Sequence, residues 1–557
     1  MARGAAPADC YIRGGLLLNV YTGEIYPANV AIQGERIAYV GTREDMVGPR
    51  TRIIEAAGRT LVPGYIEPHA HPWNLATPAA LARHVLPLGT TTIFGDNLSV
   101  YELGGLRGFE AAVAALARGP LKFYWMVRPE PQSRTRGAAR RFPLAALRRM
   151  LANPWSAAIG EVTGWPDAWA GRRALLDRLA LAAATGKRIE GHTAGAGPER
   201  LPALAAAGLS SDHEPITAEQ ALERARLGIA VMLRQSSLRP DLRGLLTLLK
   251  AAPLARLMLT TDGSTCAFTA EHGFVDNLVR LALDEGVAPI DAYRMVTLNA
   301  ATYYGKEADL GGIAPGRYAD LLLLADLAEP RPTAVIANGR LVARDGALVS
   351  RVPEPPWPRI FTPRTARLDR PWRASPDDFA LPAGPVPVLR LQSAVITTLE
   401  ERPLGAGDLH AALLDRRGTW VTTAAIAGFA DTLDALAATL STDYQILAFG
   451  RRPAAMARAV NHVLRARGGV ALVEGEQVIF ELPLPIGGIM SRLPLAELAQ
   501  RERELKSLLA ARGHPFHDPL FTMLFMAADF LPAVRLSSMG VWDVKTGRIV
   551  RPSRRRG

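Results

Sequence analysis

Val62-Pro63-Gly64-Tyr65-Ile66-Glu67-Pro68-His69-Ala70-His71 is an apolar run that ends in two histidines two residues apart. Side chains of an extended strand alternate between faces, so both imidazoles project to the same side and can share one metal ion. The spacing alone is a weak signal, because a lone pair of histidines is more often structural. Its weight comes from the chain that follows. Seven further short apolar runs, at 90–96, 122–127, 157–162, 188–192, 209–213, 230–234 and 257–262, alternate with helical stretches such as 79–87, 168–184 and 273–285. Eight strand–helix repeats over about 250 residues match a closed parallel barrel better than an open doubly wound sheet.

The runs end on polar residues. His69, Asp96, Glu161, His192, His213 and Asp262 each stand at or just past the C-terminal end of an apolar run, the face on which such barrels build their sites. His192 and His213 can complete a nitrogen-rich second position, while Asp262 supplies a hard oxygen to the first. Glu161 is read as a carboxylate able to bridge two metal ions. The alternative, a buried glutamate paired with an arginine, is disfavoured because the cations near it would be the metals themselves. Two such ions acidify a shared water and polarise the atom it attacks.

Around the barrel, residues 10–62 break into short strands and turns, and the same texture returns at 320–324, 334–336 and 340–342. The two segments are expected to pair into one small antiparallel domain. The fold class is therefore α/β: a (β/α)8 barrel at 63–308, a composite β-sandwich domain from 1–62 with 309–350, and a Pro-rich linker at 351–384. A C-terminal α+β domain at 385–557 follows, with strands expected at 394–396, 445–449, 469–473 and 478–482 and helices at 454–467 and 493–511.

Bulk properties exclude several classes. At 557 residues the chain exceeds a single core, and 48% apolar with 21% charged residues is ordinary for a globular protein. The net charge of +12 is mostly arginine scattered along helices, as at Arg148, Arg149, Arg172 and Arg173, and reads as a solvated surface rather than a polyanion site. Cys10 and Cys266 are too few for a disulfide framework or a thiolate metal cluster. Neither an export signal nor an apolar run of about 20 residues is apparent, so a cytoplasmic protein with no membrane and no nucleic-acid partner is expected.

These motifs resemble the adenine deaminase family of the amidohydrolase superfamily over almost the whole chain. Val62 to His71 is similar to its first-strand signature, Gly160-Glu161-Val162 to its bridging glutamate, Gly191-His192 and Asp212-His213-Glu214 to its fifth- and sixth-strand motifs, and Thr261-Asp262 to its eighth-strand aspartate. Glu481-Leu482-Pro483-Leu484-Pro485-Ile486-Gly487-Gly488-Ile489-Met490-Ser491 resembles the family's own C-terminal domain. The resemblance implies that His69, His71, Glu161, His192, His213 and Asp262 bind two Mn²⁺ or Fe²⁺ ions, with Zn²⁺ also admissible. It implies hydrolytic loss of ammonia from C6 of a 6-aminopurine, Asp262 relaying the proton of the attacking water to the departing amine. Asp96 and Glu214 are candidates to bind or protonate the base, or else to orient the ligand histidines. Asp96, Ser99 and Arg234 are expected to contact a nucleobase-like substrate, in a homo-oligomer.

The sequence departs from the family around the base. Asp96-Asn97-Leu98-Ser99 replaces the usual Asp-Pro-His-Glu, Asp262-Gly263 replaces Asp-Asp, and Arg234-Gln235-Ser236-Ser237 replaces Arg-Glu-Gly-Ser. An N6-substituted adenine or another aminated heterocycle is thus an alternative substrate. Cyclic-amide hydrolysis is a second alternative, against which the fourth run carries Glu161 and no lysine to bridge metals as a carboxylated side chain. A scaffold or nucleic-acid binder is a third, and polynucleotide zinc deaminases are excluded by the missing Pro-Cys-x-x-Cys motif.

Overall fold

The computed structural model describes residues 3–133, 137–250, 254–362, 364, 366 and 371–556. Eight parallel strands pair in chain order: Tyr65–Ala70, Thr90–Asp96, Lys122–Val127, Ser156–Val162, Arg188–Gly191, Leu209–Asp212, Ala230–Arg234 and Leu257–Thr260. A parallel bridge between Ala70 and Asp262 joins the last to the first and closes the barrel.

The run at 62–69 divides in two. Thr60–Pro63 leaves the barrel to pair with Leu321–Leu324, and the barrel strand begins only at Tyr65. Gly64 marks the division: a Cβ there would lie 2.3 Å from Thr91 Oγ1, so only glycine lets the two sheets approach this closely.

Ile66, Phe94, Met126, Met232 and Met258 cluster with Tyr304, whose ring stacks on Phe94 at 3.9 Å between centroids. Two residues beyond four of these, on the same face of their strands, stand Asp96, Arg128, Arg234 and Thr260. Strand alternation thus carries the inward face from a packed apolar layer to a polar one at the C-terminal ends.

The expected helices at 168–184 and 273–285 are shorter than read. The first splits into Trp165–Trp169 and Arg173–Ala184 at Gly171 (φ 72°), and the second is Val275–Asp284, with Gly273 ending the preceding helix Cys266–His272.

The flanking β segments join in one nine-stranded sheet. It is mixed rather than antiparallel, because Arg52–Glu55 and Thr60–Pro63 run parallel to Cys10–Leu18. Within the Pro-rich stretch a short helix, Trp357–Ile360, buries Trp357 and Ile360, so this portion packs against the barrel instead of running extended. Residues 363, 365 and 367–370 of that stretch lie outside the described residues.

A second nine-stranded sheet follows, with helix Pro453–Arg465 covering one face through Met456, Val460 and Val463. On the other face Leu498, Leu505 and Leu509 of helix Leu495–Ala510 join a cluster that includes Leu75, Ala80 and Cys266 from the barrel. Residues 394–396 are not a strand. They form the bend between Val386–Leu391 and Thr397–Arg402, where Ile396 N–H and its neighbours close a turn on Ser393. None of the described helices is long and apolar enough to cross a membrane.

Candidate active site

His69 is fully buried, and its Nδ1 lies 2.7 Å from Glu190 Oε1. That contact fixes the ring orientation and aims Nε2 at Asp262 Oδ1, 3.4 Å away. His71 is arranged the same way: Nδ1 is 3.0 Å from Asp96 Oδ2 and Nε2 is 3.1 Å from Asp262 Oδ1. Asp262 itself takes φ 50°, a left-handed conformation that aspartate tolerates better than most residues, before the chain turns at Gly263.

Across the barrel mouth, Glu161 Oε2 stands 3.0 Å from His192 Nδ1, 3.3 Å from His213 Nε2 and 3.8 Å from His69 Nε2. Glu214 Oε1 lies 3.5 Å from His192 Nδ1. Two donor groups result, His69 with His71 and Asp262, and His192 with His213 and Glu214, and Glu161 joins His69 to His213 between them. His69 Nε2 is buried without a hydrogen-bond partner. Burial disfavours charge on His69 and His71, yet the surrounding carboxylates outweigh it and push both rings up. Imidazole nitrogens and carboxylate oxygens converging in so negative a setting are the donor set a divalent cation needs, and its binding would displace the protons that the carboxylates favour on the rings.

All six expected ligands therefore meet at one place, and four of them, His71, Glu161, His192 and Asp262, line a cavity of about 130 Å³. Asp96, Ser99, Glu214 and Arg234 line that cavity as well. Asp96 is engaged by His71. Arg234 Nη1 donates to Glu214 Oε1 at 2.7 Å and to Asp262 Oδ2 at 2.8 Å, so one guanidinium ties the two acids together. Burial raises Glu214 and Asp262, and the charges of Arg234 and the histidines more than reverse it, holding both well below the usual carboxylate range.

One expectation is overturned: Glu161 does pair with an arginine. Arg128 has no exposed surface and donates from Nη1 to Glu161 Oε1 at 2.6 Å, with Asp96 Oδ2 at 3.4 Å and Gln132 Oε1 beside Nη2. Oε1 is thereby occupied and Oε2 is the oxygen that faces the imidazoles. Arg128 directly follows the third barrel strand, so the strand-end rule that found Glu161 also covers it. Glu190 and Glu67, absent from the expected set, each precede a histidine by two residues on the same strand face, a period-2 signal present in the sequence. Glu67 accepts from Thr260 Oγ1 at 2.6 Å and from the His69 N–H at 2.9 Å, fixing the first strand to the eighth. Nothing in the sequence pattern marks the C-terminal residues that close the cavity, among them Tyr444, Phe521 and Phe530, whose ring meets His192 edge-on at 5.0 Å.

Residues 60–342 match the amidohydrolase family model, and residues 398–548 match the adenine deaminase C-terminal domain. An adenine deaminase of Moorella thermoacetica is 33% identical, over 99% of this chain and 96% of its own. The chain belongs to the adenine deaminase family. A second member, an adenine deaminase of Nitratidesulfovibrio vulgaris, is 33% identical over 98% of this chain and 96% of its own. A Halalkalibacterium halodurans protein named "Putative adenine deaminase" is 33% identical over 99% and 96%. Membership makes this chain an amidohydrolase-type enzyme acting on C–N bonds, a metal-dependent hydrolytic deaminase with a small-molecule substrate. The histidine–carboxylate groups are the residues of this adenine deaminase family member that can hold its divalent metal.

Proposed function

We propose that the chain removes ammonia by hydrolysis from C6 of adenine or a related 6-aminopurine, leaving the 6-oxopurine, hypoxanthine in the case of adenine. The observation that carries this reading is the meeting of two imidazole–carboxylate groups at Glu161 Oε2, at the foot of a cavity sized for a small molecule. His69, His71 and Asp262 would hold one divalent ion and His192 with His213 a second, Glu161 being shared, with Mn²⁺ or Fe²⁺ favoured by the mixed nitrogen and oxygen donors. Bound there, the ions lower the pKa of water and polarise the atom under attack.

The chain's own groups then do the following. Asp262 takes the proton released from the attacking water and delivers it to the departing amine nitrogen. Arg234 holds Asp262 and Glu214 in place through its two hydrogen bonds. Asp96 orients His71, and Glu214, kept ionised by Arg234, would accept a hydrogen bond from a ring N–H. Glu190 and Asp96 keep the first two histidines in one tautomer.

An N6-substituted adenine is the second reading, supported by the apolar wall of Phe521, Phe525 and Phe530 beside the cavity. Cyclic-amide hydrolysis is disfavoured because Ser156–Val162 holds no lysine. Domain limits of 1–62 with 309–350, 63–308, 351–384 and 385–557 belong to the same proposal, as do a cytoplasmic setting, a homo-oligomeric state and the absence of a nucleic-acid partner.

The test is a release assay with Mn²⁺-loaded protein on adenine, N6-alkylated adenines, other aminated heterocycles and hydantoin. Ammonia or alkylamine from a 6-aminopurine with no hydantoin ring opening is the expected outcome. Ring opening without amine release would overturn the reading.

A further inference from the structure

The carboxylates around the donor cluster are tied to cations or imidazoles: Asp96 to His71, Glu161 to Arg128, Glu214 and Asp262 to Arg234. The guanidinium of Arg239, also at the cavity, lies 2.8 Å from Asp241. Beside the turn after the second barrel strand the cavity wall offers something different, two neutral hydroxyls, Ser99 Oγ and Tyr444 Oη, 2.9 Å apart.

Tyr444 comes from the turn between Ala435–Ala438 and Ile446–Gly450 in the C-terminal unit, 345 residues along the chain from Ser99. Its φ of 59° is left-handed, a conformation that bulky residues rarely adopt. The turn is braced on every side. Gln445 N–H donates to Ser441 Oγ at 2.9 Å, Arg416 N–H donates to Gln445 Oε1 at 3.0 Å, and Thr442 N–H donates to Leu524 O at 3.1 Å. Thr442 Oγ1 meets Ser133 Oγ of the barrel at 3.2 Å. Backbone strain held in this manner collects at ligand sites.

We propose that Tyr444 is a specificity-determining residue, which with Ser99 presents a neutral donor–acceptor pair to the nitrogen edge of an uncharged heterocycle. The inference rests on the deaminase reading above and adds how the ring is recognised. Two hydroxyls joined by one hydrogen bond retain one further proton and free lone pairs between them, matching a ring nitrogen next to an N–H. The pair carries no charge, so it suits the neutral nitrogen edge of a base. The C-terminal unit then supplies part of the substrate pocket rather than only a cover.

Tyr444→Phe, Ser99→Ala and the double variant, each loaded with Mn²⁺, are compared with wild type for metal content, melting temperature, and kcat and KM over the 6-aminopurine panel. Equilibrium binding of hypoxanthine is measured alongside. Loss of one neutral hydrogen bond predicts a KM roughly tenfold higher and product affinity lower to match, with kcat changed less than about threefold. Metal content stays at the wild-type level, and the double variant loses less than the product of the single effects. Active wild type with both single variants at unchanged KM and product affinity would overturn this inference alone. Lost metal or kcat at unchanged KM in both would also overturn it, assigning the pair to holding the centre. Wild type that neither turns over a 6-aminopurine nor binds hypoxanthine would overturn the deaminase reading and the inference together. Should Tyr444→Phe fail to fold, Ser99→Ala reads the same quantities.

Discussion

Arg128 lies buried between Glu161 and Asp96, which directly match its charge. Removing one member of a buried ion pair leaves the others uncompensated. Arg128→Met is expected to lower stability by about 3–5 kcal/mol in urea unfolding, with Arg128→Lys in between. A loss under about 1 kcal/mol would show that the pairing is not structural. Glu190→Gln tests the neighbouring contact. Without its carboxylate the Nδ1 proton of His69 is held less firmly, and Mn²⁺ affinity should fall about 10- to 100-fold by equilibrium titration. Unchanged affinity would separate Glu190 from the metal site. At this scale the sequence was informative for a physical reason: strand ends in a parallel barrel converge whatever the loops do, so His69, Glu161 and Asp262 could be brought together from chain position alone. Arg128 and Glu190 obey the same geometry. An arginine after a strand and a glutamate before a histidine carry no metal-ligand signature of their own, so the pattern does not single them out.

Helix Leu495–Ala510 docks on helix Cys266–His272 through a carboxylate. Glu502 accepts the backbone N–H of Cys266 at 3.0 Å and of Ala267 at 2.6 Å, satisfying two of the donors a helix start leaves open. Burial raises its carboxyl to about 7, the two N–H groups only partly opposing it. The folded state therefore keeps a proton that the unfolded chain gives up near 4.5, and stability falls as pH rises between about 4.5 and 7, by up to about 1.4 kcal/mol per unit. Glu502→Gln removes that slope, so its stability relative to wild type should climb from pH 5 to 8 in urea unfolding. A constant difference would show that Glu502 does not titrate in that window. Element boundaries were less legible than residues. Gly64, Gly171 and Gly273 end or divide runs that hydrophobic pattern alone reads as continuous, and the bend at 394–396 is apolar because Val395 lines the cavity, not because it pairs in a sheet.

The barrel as a whole was readable because eight repeats admit few topologies. Most elements of the C-terminal unit were readable too, but its lining of the cavity was not, since that depends on long-range docking, seen where Ser491 N–H donates to Leu75 O at 2.7 Å and Ile489 O accepts from Leu75 N–H at 3.2 Å. A divalent cation held by these donor groups would join the halves of the site electrostatically. Stripping it with a chelator should remove a ligand that binds only the folded site, lowering the melting temperature by several degrees, restored by adding Mn²⁺. An unchanged melting temperature would mean that the cluster is stable without a cation. The most direct measurement is amine release from a 6-aminopurine substrate, followed while Mn²⁺ is added back to stripped protein, with Glu161→Gln in parallel. Activity should rise with bound metal until about two ions per chain are held, and the Glu161→Gln protein should stay inactive throughout. Full activity in the stripped protein, or none in the fully loaded wild type, would contradict a metal-driven deaminase built on these strand ends.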